Sequence, residues 1–189
     1  MRTLVLLVLL VLGCEDDDPG YSCPDGFEPQ YKVKQIWVDS ECSEKARDAI
    51  LDGADDLNDF TREHLCQPIL EVVGELQVDH ETKSVDTDVP VIVCYGDIPS
   101  WWYGSSFDES NLIGFSSSIH GLRFFLFRRV PVAYGTIHHL MLHEAMHFIG
   151  LRGHHSGDGI MTEFGIVKSR RVYTLDDTEF FCDNFDCIN

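Results

Sequence analysis

Hydrophobic positions along this chain fall into short blocks whose spacing switches between the period of a strand and that of a helix. Residues 32–38 (KVKQIWV) alternate as a strand does. In residues 43–65, Ala46, Ile50, Ala54, Leu57 and Phe60 share one helical face, and Ser43 is placed to cap its start. Residues 69–76 and 89–95 read as strands, the second apolar almost throughout, as expected where both faces are covered. Residues 98–111 read as a loop whose Trp101, Trp102 and Tyr103 are expected to pack on the core rather than form a binding surface. Two further strands, 112–118 and 122–127, flank a turn at His120 and Gly121. Residues 134–150 give the strongest helix, with Leu140, Met141, Ala145, Met146 and Ile149 as its apolar surface. A last helix, 174–181, has Thr174 as cap and Asp176 and Asp177 in its first turn. The order predicts an α+β fold.

Ahead of the first strand the pattern changes. Arg2 is followed by an unbroken apolar run over 4–12, which is too short to span a bilayer and reads as a secretory signal over 1–13. Val11-Leu12-Gly13-Cys14 resembles the lipobox of bacterial lipoproteins. That resemblance implies lipidation of Cys14 and a place on a cell membrane or outer membrane; without the lipid the protein would be secreted. Residues 14–30 begin acidic and turn-rich, as suits a lipid-anchored tether, and 31–189 form the domain.

Charge and cysteine content narrow the classes. With 14 Lys+Arg against 32 Asp+Glu, the net charge of −18 excludes a sequence-blind nucleic-acid binder. Setting Cys14 aside leaves Cys23, Cys42, Cys66, Cys94, Cys182 and Cys187, enough in an exported chain for up to three disulfides of open pairing. Cys182 and Cys187 can join only if helix ends between them, because straight helix would hold their Cα atoms beyond the ~7 Å limit. No C-x-x-C pair is present, so a thiolate zinc site is not expected.

The chemistry concentrates in His143-Glu144-Ala145-Met146-His147, an H-E-x-x-H motif. Residues four apart on a helix share a face, so both imidazoles can bind one Zn²⁺ at ~2.0–2.1 Å. Glu144 is rotated by about 100° from His143 and can instead act as general base on a metal-bound water. His139, one turn earlier, reads as a satisfied helix histidine, and His138, His120, His80 and His64 carry no motif.

Downstream come Gly150, Gly153, His154, His155 and an Ile-Met-Thr stretch around Met161. Together with the H-E-x-x-H motif, this resembles the metzincin clan of zinc endopeptidases, nearest its matrixin-like bacterial members. Gly150 stands where that clan leaves the helix, and Met161 stands in the place of the Met-turn. The clan's third histidine would fall at 153, where this chain has Gly153. His154 is then the third ligand implied, with His155 as the alternative. A gluzincin-like ligand, Glu163 or Glu179, is the rival that Gly150 and Met161 disfavour. Glu163 also stands where some metzincins place a tyrosine ligand.

The resemblance implies a zincin-like fold: a twisted mixed sheet with an antiparallel edge strand, an active-site helix and a C-terminal helix. It implies a zinc-dependent endopeptidase, expected to be a monomer, that takes peptide or protein substrates. A substrate would add as a strand along 112–118, with the wall around Phe164-Gly165-Ile166 shaping a pocket. The alternative function is a non-catalytic metal-binding or interaction lipoprotein with a degenerate metzincin site.

Overall fold

The computed structural model describes residues 22–79, 90–94, 114–119, 122–127, 134–162 and 173–188, with the strands at 114–119 and 122–127 described by their backbone. The elements are β1 (Lys34–Asp39), α1 (Glu44–Leu65), β2 (Leu70–Leu76), β3 (Val91–Cys94), β4 (Gly114–Ile119), β5 (Leu122–Phe127), α2 (Tyr134–Ile149) and α3 (Leu175–Cys182). The sheet runs in the order β2-β1-β3-β5-β4. β1 lies parallel to β2 and β3, β3 is parallel to β5, and β4 pairs antiparallel with β5. Parallel neighbours need a crossover, and α1 supplies it between β1 and β2. The protein is a mixed α+β fold, as its pattern of elements predicts.

α1 forms where the sequence offers both a cap and an apolar face. The Ser43 side chain accepts from the Ala46 N–H at 3.3 Å. Ala46, Ala49, Ile50, Gly53, Ala54, Leu57, Phe60, Thr61 and Leu65 are buried along one side. The helix stops at Cys66, which takes the left-handed conformation (φ 54°) and donates its N–H to the Arg62 carbonyl at 3.0 Å. Where α1 meets α2, a side chain at Gly53 would put its Cβ 2.8 Å from Met141 Cγ, so the close approach of the helices depends on glycine. The core joins Ile36, Val38 and Ile92 of the sheet to Ile50 and Leu57 of α1, to Met141, Leu142 and Met146 of α2, and to Phe181 of α3.

Two amides fasten the C-terminal half of α1 and the turn after it to the rest. Asn58 accepts from the N–H groups of Ile69 and Leu70 and donates to the Leu70 carbonyl, which sets where β2 starts. Gln67 accepts from the N–H groups of Gln30 and Tyr31 and donates to the Tyr31 carbonyl. Three disulfides join Cys23 to Cys66, Cys42 to Cys94 and Cys182 to Cys187. The last is possible because α3 ends at Cys182, leaving the Cα atoms 5.3 Å apart. Residues 22–30 are largely exposed yet fastened to the domain through Cys23 and Gln30. Among the described residues, no helix is long and apolar enough to cross a membrane. Cys14, His80, Trp101, Trp102, Tyr103, His120, Glu163 and the wall at 164–166 lie outside the described residues.

Candidate metal centre

The centre is built at the end of α2 and the turn beyond it. His143 and His147 lie four residues apart on the helix, with ring centroids 4.9 Å apart. The helix then ends at Ile149, where Gly150 takes φ 128° and the Leu151 N–H returns to the Met146 carbonyl at 3.0 Å. Gly153, at φ 78°, turns the chain again, and the His154 ring comes to stack on that of His143 at 5.0 Å. This places His154, and not His155, beside the two motif histidines. His143, His147 and His154 form the one such group of potential metal ligands among the described residues.

Backbone carbonyls fix which nitrogen each motif imidazole presents. His143 Nδ1 lies 2.7 Å from the Ile160 carbonyl oxygen, and His147 Nδ1 lies 3.0 Å from that of Leu151. A carbonyl only accepts, so both Nδ1 atoms carry the proton and both Nε2 atoms present lone pairs. His154 Nε2 is 3.1 Å from His143 Nε2 and 3.2 Å from His147 Nε2. Two nitrogens bound tetrahedrally at 2.0–2.1 Å to one ion would stand ~3.3–3.4 Å apart, so the observed spacing fits a single metal ion. Burial drives the His143 pKa down to about 4, helped by His147, His154 and His139 and opposed by its bond to Ile160. The ring is therefore neutral at neutral pH, the form that binds metal. Imidazole donors suit zinc, copper, iron or nickel, and the three histidines can hold such an ion.

The support for this centre comes from α3. Asp177 is fully buried, and its carboxylate accepts from Ile160 N–H at 2.9 Å, Met161 N–H at 2.8 Å and Thr174 N–H at 2.8 Å. Burial raises its pKa, but the bond from His155 and the bonds from Met161, Thr174 and Ile160 outweigh that and hold it below the usual carboxylate value. His155, the alternative third ligand, is engaged in this pair: its Nε2 lies 2.9 Å from Asp177 Oδ1, and its Nδ1 accepts from the Gly157 N–H. Met161 is wholly buried, one residue beyond the carbonyl that holds His143. Glu144 is buried within α2, as are His138 and His139. His138 pairs with Asp56 of α1 at 2.9 Å, away from the ligand set. Glu179 is exposed on α3 and lies outside the histidine cluster.

Three contributors escape a reading of the motif. The carbonyls of Ile160 and Leu151 are backbone atoms and leave no trace in residue type. Asp177 leaves one: it completes a capping box with Thr174 at the start of α3, and the same carboxylate reaches the turn. Compared with known proteins, the chain matches no family model and no curated protein sequence.

Proposed function

We propose that this protein is a zinc-dependent endopeptidase of metzincin type, exported and held at a membrane through lipidated Cys14. The observation that carries the reading is the convergence of three imidazole nitrogens around one point, two of them from a helix whose Glu144 comes directly after the first histidine and the third from the turn beyond it. His143, His147 and His154 would hold the ion, with His154 reached through the extra residue that Gly153 absorbs. Zinc bound there supplies Lewis acidity, acidifying water and polarising the carbonyl to be cut. Glu144 takes the proton from the attacking water and delivers it to the leaving amine. In the zincin-like arrangement, β4 is the edge strand on which an extended substrate pairs through its backbone. Three disulfides suit an oxidising compartment outside the cytosol.

The rival is a non-catalytic metal-binding lipoprotein, for which Glu144 would have no use. Glu144→Gln decides between them. The variant is expected to bind as much zinc as the native protein and to cut an unfolded protein substrate on the order of 10²–10⁴-fold more slowly. Equal cleavage by both, or purified native protein that binds no zinc, would remove the endopeptidase reading.

A further inference from the structure

We propose that Asp177 is the positioning residue of the metal centre and sets two of its three ligands from the first turn of α3. The inference rests on the reading of the three histidines as metal ligands. One route runs through a single peptide group. Asp177 Oδ1 accepts from the Met161 N–H at 2.8 Å, and the Ile160 carbonyl of that same peptide accepts from His143 Nδ1 at 2.7 Å. The peptide is planar and rigid, so fixing its N–H fixes the direction of its carbonyl. The carboxylate charge also polarises the peptide and makes the carbonyl a better acceptor, which raises the donor strength of His143 Nε2.

The second route runs to His154 through its neighbour. Gly153 turns the chain on the N-terminal side of His154 (φ 78°), a conformation that glycine takes without a side-chain clash. On the other side, the His155 ring donates to Asp177 Oδ1 at 2.9 Å, and the His155 N–H donates to the Met161 carbonyl at 3.1 Å. Fastening residue 155 by ring and backbone fixes where residue 154 can reach. Gly159 makes room for the carboxylate, since a Cβ there would collide with Asp177 Oδ2. His147 is held separately by Leu151.

The test compares native protein with Asp177→Asn and His155→Gln, using zinc affinity by chelator competition at neutral pH and the visible spectrum of the cobalt-loaded proteins. Asparagine keeps the size but turns one acceptor oxygen into a donor facing other donors. Folded Asp177→Asn is expected to bind zinc about 10–100-fold more weakly and to shift the cobalt bands. His155→Gln should show a smaller loss in the same direction. A merely structural role would lower the unfolding midpoint and leave the cobalt bands in place. A folded Asp177→Asn that binds zinc within about threefold of native protein, with the native spectrum, overturns the proposal. If Asp177→Asn does not fold, His155→Gln decides: native affinity and spectrum overturn it, and a loss with shifted bands supports it. Native protein that binds neither metal would instead overturn the metal-centre reading beneath it.

Discussion

At the scale of single residues, each motif imidazole depends on the atom behind it. The carbonyls of Ile160 and Leu151 choose the tautomers, and the burial that favours metal binding also penalises a proton on His143. The unfolded chain takes up that proton near pH 6.5 and the folded protein near pH 4, so the metal-free protein is fully stabilised above ~6.5 and loses stability as pH falls between the two. At ~1.36 kcal/mol per pH unit the loss from this one residue is about 3 kcal/mol. Urea unfolding of chelator-treated protein at pH 7.5 and pH 4 should show it, and His143→Gln should lose less over the same interval. An equal loss in the variant would contradict the assignment. His143, Glu144 and His147 are legible in the sequence because their spacing and the helix period are both local. The third candidate ligand is legible only as a pair of neighbours, since Gly153 allows more than one register for the residues after it. Asp177 is legible as a helix cap but not as a partner of residues 155–161, because nothing local links it to a turn so far back in the chain.

At the scale of elements, the packing of α1 on α2 holds the helix of His143 and His147 in place. One tight point of that packing is Gly53 against Met141, where a Cβ on Gly53 would stand 2.8 Å from Met141 Cγ and 3.0 Å from Met141 Cβ. Gly53→Ala gains up to ~1 kcal/mol of helix propensity and costs ~1–3 kcal/mol in overpacking. The net expectation is a loss of about 1 kcal/mol, read as a lower urea midpoint with an unchanged slope. A midpoint above native would show that α2 gives way easily. The helices and strands themselves are legible because periodicity and capping are written within each segment. What joins them is not. The register shift between Ile36 and Trp37, the left-handed Cys66, and the amide bonds from Asn58 to β2 and from Gln67 to Tyr31 depend on residues that meet only after folding.

At the scale of the whole molecule, three disulfides act on loops of very different length. By loop-closure entropy, Cys42–Cys94, with a separation of 52, is worth about 4 kcal/mol, and Cys182–Cys187, with a separation of 5, about 2 kcal/mol. The double variant Cys42→Ala/Cys94→Ala should therefore unfold at lower urea than Cys182→Ala/Cys187→Ala. The reverse order would mean that the short bridge matters chiefly by clamping the end of α3. The connectivity has another outcome. Cys23–Cys66 and Cys42–Cys94 interleave, so a nick in the backbone anywhere between Cys23 and Cys94 leaves both fragments covalently joined. None of the three bridges spans the stretch from Cys94 to Cys182, which carries α2 and all three histidines. One scission there severs the polypeptide into two pieces, so the part that carries the three candidate ligands is held together by no covalent bridge once it is cut.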